Sequence, residues 1–379
     1  MVSAPNMEPH YRQTVRASFT RAPEFARGPN MLGLAGPMVF AALEADFDVV
    51  LETAAEQIVS FDVMLSGALV RFRVAGPRLA SDLIAPFAPA TRVKVPEREP
   101  DLRIDVWDGA ATRVACSALP FDPKMGPYGV VTCAPDKQFV AYQRPASVGW
   151  LDRKRGRVIA WFDSADALYL DERAKPFAKL ISVWLKGHGV ILGHAGVVGR
   201  NGHGILFAGL GGAGKSTTSV ACLRAGLDYV GDDYVGLEEQ GPGRFTARGY
   251  FSSALLDVDR FAPFADFADR FIAPYHAHEA KSLAHFADWL PQQLPDGLAI
   301  DAVVVPRIAG GDAHRLRPTS KIDALLALAP STLLMMPLPE VAQFEMLARL
   351  VESVPAYRLE LGTDLETIPR AIEPILTAG

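Results

Sequence analysis

Gly209-Leu210-Gly211-Gly212-Ala213-Gly214-Lys215-Ser216 reads G-x-x-x-x-G-K-S. Glycines at this spacing let backbone N–H groups curl around phosphate oxygens. A helix N-terminus directly behind them adds partial positive charge. In such a loop Lys215 reaches the terminal phosphates of a nucleotide, and the Ser216 hydroxyl holds Mg²⁺. The residues expected to contact ATP are Gly209, Gly211, Gly212, Ala213, Gly214, Lys215, Ser216 and Thr217. Downstream, Val230-Gly231-Asp232-Asp233 places two adjacent carboxylates between strand-like runs. A bare Asp-Asp is ordinarily a solvated turn. An acidic residue at a strand end facing a phosphate loop is where a Mg²⁺ ligand or base is needed. Upstream, His194 lies in an apolar stretch, Val190-Ile191-Leu192 to Val197-Val198.

Several elements must hold these residues in place. Gly204 to Ala208 is a short apolar run suited to a buried strand, and Thr217 to Ala225 reads as a helix stopped by Gly226. Arg200-Asn201-Gly202-His203-Gly204 is a hairpin signal ahead of the loop strand. Ala174 to Lys186 spaces Phe177, Leu180, Ile181, Trp184 and Leu185 as one amphipathic helix. Ile300 to Pro306 and Tyr357 to Leu361 read as strands; Lys321 to Leu328, Val341 to Val354 and Leu365 to Ile375 read as helices. The first half shows Phe47–Leu51, Val70–Val74, Leu102–Trp107, Phe139–Tyr142 and Val158–Phe162 as strands and Leu79–Phe87 as a helix. It predicts a small α+β domain with an antiparallel sheet, the alternating Arg71, Arg73 and Arg103 forming its solvated face.

A chain of 379 residues with 49% hydrophobic and 21% charged residues has enough apolar material for two globular domains. Its net charge of −5 provides no basic footprint, which argues against nucleic acid as a partner. Cys116, Cys133 and Cys222 are odd in number and show no metal spacing, as in a reducing compartment. His276, His278 and His285 form no recognised metal pattern and read as surface or packing residues. No secretion signal or membrane-spanning run is found, so the expected location is cytoplasmic, without membrane attachment. Residues 1–30, with Pro5, Pro9, Pro23 and Pro29, read as a flexible arm, 31–171 as the α+β accessory or substrate domain, and 172–379 as the nucleotide domain.

His194-Ala195-Gly196-Val197-Val198, the Gly209–Ser216 loop and Val230-Gly231-Asp232-Asp233 together resemble the HPr kinase/phosphorylase family, in particular the HPr-kinase-like kinases of bacterial gene clusters. The resemblance runs from about Ala174 to Ile375. It implies an α/β P-loop kinase domain with a mixed sheet, the loop strand near its middle, preceded by a smaller α+β domain. It also implies an ATP- and Mg²⁺-dependent kinase acting on a serine hydroxyl of a protein or peptide, and a homo-oligomer, because family members assemble as hexamers. Carried over by position, Lys215 binds the β- and γ-phosphates and Ser216 the metal. Asp232 takes the hydroxyl proton, Asp233 helps hold the metal, and His194 sits beside the transferred group. Thr217 stands where family members often carry Glu, and no phosphorylase signature is found, which argues against the reverse reaction and against HPr as substrate. Arg248, Lys281 and Arg307 are candidate phosphate or substrate contacts, each also readable as a surface ion pair. Two other functions remain open: a kinase of a small hydroxylated metabolite, and a P-loop ATPase or switch without a phosphorylated product.

Overall fold

Apolar and charged residues alternate through the first half as a pleated strand requires. The computed structural model describes residues 32–89, 91–93, 98–117, 129–257, 264, 267 and 270–377. The expected arm, 1–30, lies outside them. Seven strands form the first sheet, in the order β1-β2-β3-β7-β6-β5-β4. They are β1 (Ile58–Leu65), β2 (Ala68–Ala75), β3 (Leu102–Asp108), β4 (Val130–Cys133), β5 (Phe139–Arg144), β6 (Ser147–Asp152) and β7 (Arg157–Phe162).

Three expectations for this half are corrected. Phe47–Leu51 is not a strand; it lies inside helix α1 (Leu32–Thr53). Phe40, Leu43, Phe47 and Val50 are spaced by three or four and buried together, so a helical face decides the matter over a five-residue β-like run. The sheet is mixed rather than antiparallel, because β3 runs parallel to both β2 and β7. Arg71 and Arg73 are not simply solvated: Arg71 pairs with Asp62 at 3.0 Å, and Arg73 pairs with the fully buried Asp105 at 2.6 Å. Asp105 also meets Arg157, so its burial is compensated from two sides. Arg103, by contrast, makes an outer pair with Glu99.

α1 covers one face of this sheet through Trp107, Trp150 and Trp161. The other face is covered by α2 (Pro77–Ile84) and α4 (Ala178–Leu185). α4 is only the second part of the single helix expected over Ala174–Lys186. Helix α3 (Leu170–Ala174) ends first, Pro176 interrupts, and Phe177 takes a left-handed φ of 55°. The core beneath α4 also contains Val190, Leu192, Tyr250, Phe251 and Met336. The two halves of the chain therefore share buried apolar contacts beyond residue 172.

Nine strands form the second sheet. Along it run β11 (Asp228–Gly231), β9 (Ala195–Arg200), β10 (His203–Ala208), β16 (Gly297–Ile308), β13 (Arg244–Arg248), β12 (Val235–Gly241) and β8 (Val190–Gly193). β18 (Ala356–Leu361) lies beside the second half of β16, with β17 (Arg315–Pro318) outside it. β10, β16 and β18 are parallel and the remaining pairs antiparallel, giving a mixed α/β unit with β10 in the interior. Helices α6 (Lys321–Met335) and α7 (Val341–Ser353) pack on one face. Helix α5 (Lys215–Arg224), helix α8 (Ile368–Leu376) and the hairpin of β14 (Ser253–Asp257) and β15 (Lys281–His285) pack on the other. Among the described residues no helix is long and apolar enough to cross a membrane.

Candidate functional site

The loop Gly209–Gly214 leaves the carboxyl end of β10 and enters α5 at Lys215. Gly212 and Gly214 have φ of 80° and 101°, which side-chain-bearing residues resist. Gly214 has a second constraint, since a Cβ there would lie 2.6 Å from Leu361 Cδ1 at the end of β18. No side chain caps α5, so its first N–H groups are left for another acceptor. Lys215 is buried, and its Nζ donates to the carbonyls of Gly209 (2.7 Å) and Leu210 (3.2 Å). Burial lowers its pKa, with Asp232 and Asp233 opposing.

The acidic pair is placed by topology. β9 pairs with β11 and β8 pairs with β12. His194 is the single residue between β8 and β9, and Asp232–Tyr234 connect β11 to β12. Both connections join the same two ends of the sheet, so they run side by side. His194 Nε2 lies 3.4 Å from Asp233 Oδ1, and its backbone N–H donates to Thr332 Oγ1. Asp233 has a left-handed φ of 67°, a conformation that Asp tolerates better than most residues.

The two carboxylates have opposite environments. Asp232 is 1% exposed; no group meets strict hydrogen-bond geometry with either carboxylate oxygen, and the Ser216 hydroxyl is the neutral donor that approaches it. Burial and the charge of Asp233 push its pKa up to about 6, with Lys175, Ser216 and Lys215 pulling the other way. For Asp233, burial also acts upward, but Lys175, His194 and Lys281 outweigh it and hold the carboxyl well below the usual range. The Ser219 hydroxyl, on the Gly196 side of Asp232, is likewise buried without a partner. A Cβ on Gly196 would collide with Ser219 Oγ and lie 3.7 Å from Asp232 Oδ1, so the absence of a side chain there lets α5 and β9 close on the acid.

The structure therefore brings Lys215, Asp232, Asp233 and His194 to one corner. Asp233, expected beside a metal, is oriented toward His194 and Lys175, whose Nζ lies 3.3 Å from Asp233 Oδ2. Lys175 is 3% exposed and escaped the sequence analysis because it fell inside the assumed helix; the signal was Pro176, which breaks that pattern. Lys281 is exposed at the start of β15, where its charge reaches Lys215 and Asp233. Arg307 is exposed near the carboxyl end of β16. Arg248 is held by Glu238 and Asp296. His276 stacks on Tyr169, and burial lowers the pKa of His285 to about 4. Among the described residues no group of three or more His, Cys, Asp or Glu side chains could hold a metal ion.

The Ser216 hydroxyl, beside the Asp232 carboxylate, is nevertheless placed where it would hold Mg²⁺ together with phosphate oxygens. Chemically, the corner offers backbone donors and a lysine for an anion, and a near-neutral carboxylate for a proton. No protein-family model matches the chain, and no curated protein matches it.

Proposed function

We propose that this chain is an ATP-dependent kinase that transfers the γ-phosphoryl group to a serine hydroxyl of a protein or peptide. In this reading the second sheet with α5–α8 is an HPr-kinase-like P-loop domain, and the first sheet is the smaller α+β domain before it. The observation that carries the reading is the unpartnered, buried Asp232 carboxylate at the end of a strand beside the Gly209–Ser216 loop.

The phosphates of ATP would occupy the α5 N-terminus, and Lys215 would exchange its two carbonyl partners for phosphate oxygens. Ser216 and those oxygens would hold Mg²⁺, which supplies charge neutralisation when bound. Asp232 receives the proton of the acceptor hydroxyl. A carboxyl near 6 is mostly ionised at neutral pH yet more basic than an ordinary aspartate, which is the balance a general base needs. Asp233 stays ionised and fixes Lys175 and His194, rather than serving as a metal ligand. His194, held by Asp233, would sit beside the transferred phosphoryl group. Phosphoryl transfer depends mostly on positioning and charge, so these groups suffice. The cysteine pattern fits action in the cytoplasm.

The test follows the label of γ-phosphate-labelled ATP with Mg²⁺ and serine-containing peptides and proteins. Label on a peptide or protein, lost in Lys215→Ala, is the expected result. Label released only as free phosphate with every acceptor would replace the kinase by an ATPase or switch.

A further inference from the structure

A cavity lies where the first sheet meets the acidic corner. Val148, Phe162, Leu168, Phe177 and Leu180 form its apolar lining, and Asp171, Glu172, Lys175, Lys179 and Tyr234 also line it. Lys175 touches Asp233, and Tyr234 is the last residue of the Asp232–Tyr234 connection, so the cavity adjoins the turn that carries the proposed proton acceptor. Its volume of about 40 Å³ is room for about three waters, the bulk of one aliphatic side chain.

The charged groups that line the cavity are already engaged. Asp171 and Glu172 pair with the buried Arg144 at 2.6 Å and 3.6 Å, and Arg144 itself lies over the Tyr169 ring. Lys175 is held by Asp233, and Lys179 donates to the Met335 carbonyl. A charged occupant would have to break one of these pairs, whereas an apolar one buries surface against the apolar lining without disturbing them. Gly149 on β6 keeps the cavity open, since a Cβ there would lie 3.0 Å from Leu180 Cδ1 and 3.6 Å from Ala160 Cβ.

We propose that this cavity is the acceptor subsite, and that it takes an aliphatic group lying next to the hydroxyl to be phosphorylated. The proposal rests on the kinase reading for the identity of the hydroxyl, though not for the cavity's preference for an aliphatic group. Residues of α3 (Asp171, Glu172) and α4 (Ala178, Lys179, Leu180), which join the two sheets, supply part of the cavity wall.

The experiment uses the full chain. Calorimetry measures binding of short peptides with a central serine flanked by leucine, alanine or aspartate, beside free serine and a free leucine-sized hydroxy acid. ATP binding is titrated separately. The leucine-flanked peptide is expected to bind on the order of tenfold more tightly than the alanine-flanked one, with aspartate weakest. Gly149→Ala, and more strongly Gly149→Val, should erase that preference while thermal unfolding shows both variants folded. If both variants unfold, the wild-type ranking of the peptides still decides the matter. Selection of the free hydroxy acid alone supports the same subsite chemistry with a small acceptor. Equal binding by all flanks, or preference for aspartate, overturns the proposal even if ATP binds and the kinase reading stands. Leucine preference in a chain that binds no ATP upholds the subsite and refutes the kinase.

Discussion

Replacing Asp232 with asparagine should stabilise the protein at neutral pH while abolishing phosphoryl transfer. Folding raises this carboxyl from 3.8 to about 6, chiefly by burial and by the charge of Asp233. At about 1.4 kcal/mol per pH unit, ionised Asp232 costs the folded state about 3 kcal/mol. Asparagine carries no charge, but its amide is buried where the carboxylate stood, which returns about 1–2 kcal/mol of that gain. The net expectation is about 1–2 kcal/mol in favour of the variant. Its pH dependence is specific. Between 3.8 and about 6 the folded protein holds the Asp232 proton more tightly than the unfolded chain does, so wild-type stability falls as pH rises through that window. Below 3.8 the protonated acid costs nothing in this sense, and above about 6 the cost is complete. Thermal unfolding of both chains, run in parallel from about pH 4 to about pH 8, reads the difference and cancels groups common to both. The variant's advantage should be smallest at the acid end and level off above about pH 7. A difference that stays flat across the range, or a variant less stable at neutral pH, would refute the account of Asp232 as a buried, uncompensated acid.

Other perturbations test neighbouring parts of the same argument. Lys175→Met leaves Asp233 with His194 as its remaining close partner; removal of one member of a buried pair should cost about 3–5 kcal/mol in chemical denaturation, and an unchanged midpoint would show the 3.3 Å contact to be incidental. Gly196→Ala forces Ser219 Oγ aside and should cost about 1–3 kcal/mol; adding Ser219→Ala should restore most of it, and a failure to do so would place the strain elsewhere. Phe47→Ala empties a fully buried site under the first sheet and should cost about 3–5 kcal/mol, whereas a loss below about 1 kcal/mol would contradict its place in the α1 core. The rate of phosphoryl transfer should fall as pH drops through about 6, because Asp232 then holds its own proton; a rate that rises toward acid would assign the proton transfer to another group.

Much of the loop was legible in the sequence because its requirements are local. The strand expected over Gly204–Ala208 is β10 (His203–Ala208), the helix expected over Thr217–Ala225 is α5 (Lys215–Arg224), and Gly212 and Gly214 take the positive φ that the loop requires, all from short-range patterning and backbone sterics. The Asp232-Asp233 turn between two strands was legible for the same reason. Local patterns also misled. Phe47–Leu51 looked extended because its β-favouring residues outweighed, over five positions, the longer helical period to which they belong. The helix across Lys175 looked continuous although Pro176 sits inside the pattern. Pairing partners lay beyond local reach. Parallel pairing of β3 with β2 and β7, and the buried Asp105 that makes Arg73 and Arg157 structural, depend on residues remote in the chain. The different characters of adjacent Asp232 and Asp233 could be settled only by folding. The sequence determined that two carboxylates stand together after a glycine loop. Tertiary structure decided that one meets Lys175 and His194 while the other is buried without a partner, because desolvation and charge pairing depend on which distant side chains arrive beside each group.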